Sequence, residues 1–373
     1  MAKDADSETK REPSGKDALH MRGARSFMQG RFETVARESF DDGWTPDEKD
    51  ERPLETQVTI ERARSIVSHN DSPDVGFDSS INPYRGCEHG CIYCYARPSH
   101  SYLELSPGLD FETKLYAKTN AAELLRAELA KPGYKPTCIA LGANTDCYQP
   151  IERKYKITRQ ILEVLAECNH PVSIVTKSAL VERDLDILGP MAEKNLVRVF
   201  VSIGTLDREL ARKLEPRAAS PQRRLDVLRA LSGAKVPCGV MVAALIPALN
   251  DKTMEHVLEA ASEAGAEEAA YVIMRLPNEL KDLFKDWLGA HYPDRAEHVI
   301  SIVHQMRGGK DNDPRFGTRM SGVGNFADLI AKRFEIACRK FKLNEHGAGR
   351  LRAELDSALF RPPAKNPGQL ALF

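Results

Sequence analysis

The sequence has little of several features that mark particular classes of protein. Aromatic residues make up 7% of its 373 residues, and 53 Lys and Arg against 54 Asp and Glu leave a formal net charge of −1. This balance excludes a chain-wide basic surface for nucleic acid, but not a local one. The longest mostly apolar run, residues 236–249, contains two prolines and is too short to span a bilayer. Because residues 1–17 contain no apolar signal segment, we expect a soluble cytoplasmic protein without a membrane partner.

Cysteine is also scarce, since the chain has eight, too few for a secreted domain held together by disulfide bonds. Three of them, Cys87, Cys91 and Cys94, fall within eight residues in the run NPYRGCEHGCIYCY, residues 82–95. Three thiolates on one tight loop can hold three corners of a cubane iron–sulfur cluster. Such clusters usually have four cysteine ligands, so one iron would stay open to a reactant. Zinc is the alternative, but closed zinc sites take four ligands and no second ligand pair follows.

The order of apolar runs predicts the fold. Residues 1–55 have few apolar residues and charges of both signs, which predicts a flexible N-terminal arm. From residue 56 to 275, β-rich runs alternate with helical patterns, as in βαβ units with a parallel sheet. About six units fit, which predicts an α/β fold, a partial (β/α)6 barrel of the TIM type, with a doubly wound open sheet as the alternative. After a first strand before the cysteines, the predicted strands are residues 137–141, 172–176, 197–203, 238–246 and 270–274.

The C-terminal part of the sequence has a different pattern. Residues 276–345 read as helices without strands, and residues 302–342 carry nine Lys and Arg against four Asp and Glu, which predicts a basic helical extension. Within it, the Gly-rich loop 306–319 is a candidate for binding phosphate.

Residues 346–373 form a proline-rich tail that ends in QLALF. This peptide resembles the one with which bacterial repair proteins bind the DNA sliding clamp. The contacts with the clamp would be Gln369, Leu370, Leu372 and Phe373. The alternative is a tail that packs against the body of the protein.

The cysteine spacing, with an aromatic residue before the last cysteine and βα units after it, resembles the radical S-adenosylmethionine (radical SAM) superfamily. The segments GANTDCYQP, VTKS, VSI, LEPRAASP and VAA narrow the resemblance to the spore photoproduct lyase-like branch, over about residues 55–345. The resemblance implies a [4Fe–4S] cluster on the three cysteines, whose open iron binds S-adenosylmethionine. It also implies a 5′-deoxyadenosyl radical that abstracts hydrogen from the substrate, and an electron donor such as flavodoxin or ferredoxin.

The resemblance also assigns site residues at the carboxyl ends of the predicted strands, where barrels place their active sites. Lys177 would bind the carboxylate of S-adenosylmethionine, and Asp146 would position substrate. In the lyase, a cysteine donates hydrogen to the product radical; here Ala143 stands in its place, and Cys147 is the candidate substitute. The assigned cofactor-binding residues are Tyr93, Tyr95, Thr145, Lys177, Ser202, Arg217 and Ala243, and the assigned catalytic residues are Asp146 and Cys147.

The sequence therefore predicts a radical SAM enzyme that acts on nucleic acid, with damaged DNA as the substrate and DNA repair as the role. The +5 charge of residues 302–342 and the clamp-like peptide support the nucleic-acid half of this prediction. One alternative keeps the radical chemistry and gives it an RNA or small-molecule substrate. A second alternative is a non-catalytic nucleic-acid-binding protein that a metal stabilises.

Overall fold

The computed structural model describes residues 22–33, 54–345 and 354–364 of the chain. Within these ranges ten strands form two sheets, one of seven strands and one of three. In chain order the strands are β1 (Gln57–Glu61), β2 (Val67–His69), β3 (Ser79–Ile81), β4 (Tyr84–Arg85), β5 (Lys114–Lys118), β6 (Ile139–Leu141), β7 (Val172–Thr176), β8 (Val197–Ser202), β9 (Cys238–Leu245) and β10 (Glu268–Ile273).

The seven-stranded sheet has the order β10-β9-β8-β7-β6-β3-β2. Its six strands from β3 to β10 are parallel, and only the short edge strand β2 runs antiparallel. Because these parallel strands lie in the same order in space as in sequence, the sheet winds in one direction and the doubly wound alternative is wrong. The sheet does not close on itself, so the predicted partial (β/α)6 barrel is confirmed.

Strand β8 forms where an apolar run is buried on both faces of the sheet, since five of its six residues are buried. Eleven α-helices connect or cover the strands in the described ranges. Helix α7 begins at a Ser–Pro pair, because the Ser220 hydroxyl accepts from the amide of Arg223 and Pro221 suits the first helical position. The helices are α1 (Asp110–Thr113), α2 (Ala121–Leu129), α3 (Glu152–Tyr155), α4 (Ile157–Glu167), α5 (Leu185–Glu193), α6 (Arg208–Leu214), α7 (Pro221–Gly233), α8 (Met254–Glu263), α9 (Leu280–His291), α10 (Pro293–Met306) and α11 (Asn325–Lys340).

The three-stranded sheet was not predicted from the sequence. In it, β5 pairs in parallel with β1 and antiparallel with β4, beside the loop that carries the three cysteines. Strand β5, sequence KLYAK, alternates buried and half-buried residues, so it forms a half-exposed sheet rather than a barrel strand.

Residues 22–33, which we call the strap, pack against the body instead of being a solvated arm. Ala24 is fully buried, the carbonyl of Ser26 accepts from the amide of Leu109 at 3.2 Å, and Arg31 pairs with Glu279 at 2.8 Å. The prediction of a flexible arm over residues 1–55 is therefore wrong for the strap. The rest of that prediction concerns residues 1–21 and 34–53, which lie outside the described ranges.

The helical extension covers one edge of the large sheet. The side-chain amide of Asn344 accepts from the backbone amide of Ala269 and donates to its carbonyl, both at 2.9 Å. The carbonyl of Met320 accepts from the amide of Ile273 at 2.9 Å. Through these contacts the extension supplies hydrogen-bond partners to strand β10.

Part of the tail also packs against the barrel. The amide of Asp356 donates to the carbonyl of Asn195 at 2.9 Å, the amide of Arg361 to that of Cys168 at 2.8 Å, and Phe360 contacts Tyr134. These contacts lie at the amino ends of β7 and β8. Residues 354–364 are therefore tied to the barrel, whereas the rest of the tail, including the QLALF peptide, lies outside the described ranges. None of the helices that the structure describes is long and apolar enough to cross a membrane.

Candidate functional site

The three cysteines lie on one loop, residues 86–94, which we call the cysteine loop. It begins where β4 ends, and it is tied to helix α1 because the amide of Cys87 donates to the carbonyl of Phe111 at 2.9 Å. Gly86 has φ = +73°, and a Cβ there would lie 2.8 Å from the same carbonyl oxygen. Gly90 has φ = +67°. The two glycines therefore allow a turn that other residues would make only with strain.

A buried ion pair supports the cysteine loop from below. Arg97 and Glu112 are fully buried, with 2.6 Å between a guanidinium nitrogen and a carboxylate oxygen. Arg97 also donates to the carbonyl oxygens of Cys91 at 2.9 Å and Gly90 at 3.1 Å. The ion pair thus fixes the backbone of the loop between two of its cysteines.

The strap completes this support. The amides of Gly23 and Ala24 donate to the two carboxylate oxygens of Glu112 at 3.0 and 2.8 Å, and Arg22 donates to its carbonyl at 3.1 Å. A Cβ on Gly23 would overlap the carbonyl oxygen of Gly90, so only glycine fits there without a shift of the backbone. One carboxylate therefore joins the strap to the ion pair beneath the cysteine loop.

The cysteine loop faces a cavity of about 480 Å³ at the carboxyl ends of the barrel strands. The register of the sheet places several strand ends at one level, since Thr176 pairs with Val201 and Ser202 with Met241. Seven of the nine residues that the sequence analysis assigns to cofactor binding or catalysis line this cavity, and Arg217 and Cys147 do not. The cavity is lined by the three cysteines and by Tyr93, Tyr95, Ala143, Thr145, Asp146, Lys177, Ser202, Ala243, Arg275 and Arg319, among others.

The donor set fits an iron–sulfur cluster better than zinc. All three cysteines are free thiols and line the same cavity. In the described part of the chain, no three His, Cys, Asp or Glu side chains come together closely enough to hold one metal ion. Thiolates that bind three different irons of a cubane stand further apart than the ligands of one ion. The zinc alternative therefore finds no ligand set in the described ranges.

Burial favours the protonated form of the Cys87 and Cys91 thiols when no metal is bound. It raises the pKa of Cys87 well above its usual value and that of Cys91 to about 12, with the Lys177 ammonium acting in the opposite direction on Cys91. Metal ligation by these cysteines would therefore release protons, as metal–thiolate bonds require.

Lys177 places an ammonium group beside the cysteine loop. Its amide donates to Asp146 at 2.7 Å, and its Nζ lies 5.8 Å from the centre of the Tyr93 ring. Burial alone would lower the pKa of Lys177, but the Cys91 side chain and the Glu215 carboxylate act in the opposite direction and the pKa is raised, so the group stays charged. The ammonium makes no ion pair within the described residues. A half-buried cation without an ion pair among the described residues suits a carboxylate ligand.

A buried triad that the sequence did not predict holds Tyr93. The Tyr93 hydroxyl donates to Glu215, and Arg224 donates to the same carboxylate. Arg224 also donates to the carbonyls of Ser202 and Ala219, both at 2.8 Å. The segment that contains Glu215 resembled the family, but no spacing linked this residue to Tyr93, which is 122 positions away. The triad fixes the aromatic wall of the cavity.

Asp146 lines the cavity, yet its oxygens are already bound by the protein. They accept from the Thr176 hydroxyl at 2.8 Å and from the amides of Lys177 and Tyr148, and they face the His89 ring nitrogen at 3.3 Å. Burial acts to raise the pKa of Asp146, but His89 and the amides hold it below its usual range. Asp146 thus joins the cysteine loop to the end of β7, which makes it a positioning residue.

The structure contradicts the prediction that Cys147 is a catalytic residue. Its side chain is fully buried in the hydrophobic core and does not line the cavity, because it points away from the side that Asp146 faces. Ala143 does line the cavity, and its carbonyl accepts a hydrogen bond from the Tyr95 hydroxyl. In the described ranges the only thiols that line the cavity are those of the cysteine loop.

Arg217 also differs from its predicted role in cofactor binding. Its guanidinium pairs with Glu88 at 3.1 Å, and its amide donates to the carbonyl of His89 at 3.3 Å. It does not line the cavity. Arg217 therefore orders the cysteine loop from outside.

Thr145 and Ser202 line the cavity as predicted, but their hydroxyl protons are used within the protein. Thr145 donates to the carbonyl of Tyr84 at 2.9 Å, and Ser202 donates to that of Ala243 at 3.1 Å. Only their oxygen lone pairs remain for a ligand.

A partial barrel that opens onto three cysteines of one loop defines a class of enzymes that bind a cluster at the carboxyl ends of their strands. Residues 81–261 match the model of the radical SAM superfamily. An uncharacterised protein of Mycobacterium tuberculosis is 39% identical over 231 residues, which are 61% of this chain and 68% of that protein. The chain belongs to the radical SAM superfamily and is a radical SAM enzyme.

Two further proteins are similar to this chain. An uncharacterised protein of Methanocaldococcus jannaschii is 26% identical over 246 residues, which are 66% of this chain and 88% of that one. The structure of spore photoproduct lyase complexed with dinucleoside spore photoproduct superposes with a TM-score of 0.54 and 18% identity, over 76% of this chain and 78% of that one. At this identity the similarity to the lyase is one of fold. The family implies a [4Fe–4S] cluster and S-adenosylmethionine.

Proposed function

We propose that this radical SAM enzyme acts on nucleic acid, with DNA as the substrate and DNA repair as the role. The observation that carries the proposal is that Arg275 and Arg319 line the same cavity as the three cysteines. Phosphate is the most common contact of proteins that bind DNA, and arginine suits it in charge and shape. The lyase structure with a dinucleoside photoproduct supports a substrate of this kind on the same fold. An RNA or small-molecule substrate is the alternative.

Within this function, Cys87, Cys91 and Cys94 would hold the cluster, and the Lys177 ammonium would bind the carboxylate of S-adenosylmethionine. When bound, the cluster and S-adenosylmethionine together supply a carbon radical that abstracts hydrogen from the substrate. The protein orients these groups and excludes water. Tyr93, fixed by its buried carboxylate partner, would form the wall beside them. Because the Cys147 side chain points into the core, we propose that the reaction does not use a thiol of this chain as the hydrogen donor to the product radical.

We also propose the bacterial sliding clamp as a partner, which would bind Gln369, Leu370, Leu372 and Phe373. Residues 354–364 pack at the amino ends of the strands, the end opposite to the cavity. A clamp bound just beyond these residues would leave the cavity uncovered for DNA.

The function is tested by anaerobic cleavage of S-adenosylmethionine with single-stranded DNA, RNA of matching sequence, and no nucleic acid. We expect DNA to stimulate 5′-deoxyadenosine formation, and deuterated DNA to transfer deuterium into the 5′-deoxyadenosine. Stimulation by RNA alone would favour the RNA alternative. A rate that no nucleic acid changes, without deuterium transfer, would favour a small-molecule substrate.

Replacing Lys177 with alanine is expected to weaken binding of S-adenosylmethionine. The carboxylate would lose a charge-assisted hydrogen bond worth about 1.5–3 kcal/mol, which is roughly ten- to a hundredfold in affinity. Equilibrium dialysis with the reconstituted protein measures the change, and the absorption of the cluster should be unaffected. Lys135→Ala, at an exposed lysine remote from the cavity, is the control. Equal affinity of Lys177→Ala and wild type would contradict the assignment.

A further inference from the structure

Arg275 is a cation of the cavity wall that makes no ion pair with a carboxylate of the described residues. It follows the end of β10, and its guanidinium lies 5.1 Å from the centre of the Tyr95 ring. Its one hydrogen-bond partner among the described residues is the sulfur of Met320, at 3.7 Å. Tyr95 is 46% exposed, so this guanidinium lies at the mouth of the cavity and not in its depth.

A second arginine shares this wall. Arg319 lines the same cavity, binds Asp74 and Ser72, and lies 4.5 Å from the centre of the Phe316 ring. Burial lowers the pKa of Arg275, and the positive charge of Arg319 lowers it further. The two guanidinium groups repel each other, and the Asp74 carboxylate that pairs with Arg319 balances only one of the two positive charges. An excess of positive charge therefore remains. Such a wall favours an anionic ligand.

Arg319 stands beside an exposed aromatic ring. Phe316 is 56% exposed, which is unusual for a phenylalanine on a loop of a soluble body. A groove of cations next to exposed rings is typical of proteins that bind single-stranded nucleic acid, because bases stack on the rings while cations contact phosphates. Bases in a duplex already stack on each other, so an exposed ring selects an unpaired strand.

The loop that carries these residues is held in place before any ligand binds. Buried Arg307 donates to the carbonyls of Thr318 at 3.1 Å and Arg319 at 2.8 Å, and the amide of Gly317 donates to Asp74 at 2.6 Å. The Gly-rich basic loop therefore does not leave Arg307 free to bind phosphate, because both terminal nitrogens of its guanidinium donate to backbone carbonyls. The fixed shape of the loop instead holds Arg319 on the cavity wall with the Phe316 ring beside it, which lowers the entropy cost of binding.

We propose that Arg275, Arg319 and Phe316 form a docking site for a single nucleic-acid strand. In this strand site the two arginines hold the phosphate next to the target nucleotide, and the Phe316 ring stacks on the neighbouring base. The target nucleotide then enters the cavity toward the cysteine loop, as enzymes that react with a base require it to leave the stack. The proposal rests on the proposed function and specifies its substrate as an unpaired strand.

The test is fluorescence anisotropy with a labelled single-stranded oligodeoxynucleotide and the reconstituted protein. Arg275→Gln and Phe316→Leu should each weaken binding by about tenfold or more. Arg275→Gln should also reduce the dependence of log affinity on log salt by about one, because one phosphate contact is lost. Phe316→Leu should leave that dependence unchanged, and Phe316→Tyr should bind like wild type. Lys310→Gln, which removes an exposed cation of the same loop, is the matched control.

Three competitors distinguish an unpaired strand from a duplex and from smaller anions. A duplex of the same sequence, free deoxynucleoside monophosphate and inorganic phosphate should all compete weakly. Competition by the monophosphate or the duplex as strong as that by the strand would overturn the strand site. Equal binding of the strand by wild type, Arg275→Gln and Phe316→Leu would overturn it too, while the nucleic-acid function would stand. If the wild type binds no nucleic acid at all, the proposed function fails together with the strand site.

Discussion

Alanine at any one of Cys87, Cys91 and Cys94 is expected to abolish both the brown chromophore of the reconstituted protein and the formation of 5′-deoxyadenosine. The three thiols line one cavity, and in the described ranges no other thiol reaches it, so no cysteine can replace a lost one. Because each thiolate would hold a different iron, the loss of one opens a second corner of the cluster to solvent.

The measurements are iron and acid-labile sulfide content, visible absorption, and anaerobic cleavage of S-adenosylmethionine. Cys138→Ala and Cys338→Ala are matched controls, since both side chains lie in strand or helix regions away from the cavity and behave as small apolar groups. These variants should keep the cluster and the cleavage reaction. A variant without all three cysteines that still forms 5′-deoxyadenosine would disprove the assignment.

Replacing Glu112 with alanine is expected to produce the largest loss of stability. It would leave the fully buried Arg97 guanidinium without its carboxylate, and breaking a buried ion pair costs about 3–5 kcal/mol. The amides of Gly23 and Ala24 would also lose their acceptors. Denaturant unfolding measures the loss, and hydrogen exchange should show that both amides of the strap lose protection.

Glu209→Ala is the control for the Glu112 prediction. Glu209 pairs with Lys213 at 2.7 Å on an exposed helix surface, with 77% of its side chain accessible. Exposed pairs of this kind contribute about 0–1 kcal/mol. If Glu112→Ala lost no more stability than Glu209→Ala, the buried ion pair would not be what holds the strap and the cysteine loop together.

The fold could be predicted because its central strands are continuous apolar runs separated by helices. Strand β7, Val172–Thr176, has the predicted bounds, because its β-branched residues favour a strand and its residues alternate between buried and half-buried. Strand β5 escaped prediction because its alternating KLYAK pattern is short and lies in a half-exposed side sheet. The strap was missed because its burial depends on Glu112, about 89 residues away, and no local pattern signals such a contact.

The sequence predicted those site residues whose role depends only on their position in the fold. Lys177 and Ser202 follow parallel strands in register, so their place at the cavity follows from the topology. The roles of Cys147 and Arg217 depend on the direction of one side chain, which alternation over a short turn does not determine. Glu215 was missed because its partners are distant in sequence and no motif spacing joins them.

The hydrogen bonds of Asn344 and Met320 to strand β10 bear on how the chain can be divided. An open barrel leaves unpaired backbone groups along its last strand, and a free edge of this kind recruits strands from other chains. At the other end, β2 is an antiparallel strand of three residues, too short to be an effective template. We therefore expect the helical extension to protect this edge from pairing with other chains. A protein shortened to residue 275 would expose β10 and is expected to associate edge to edge.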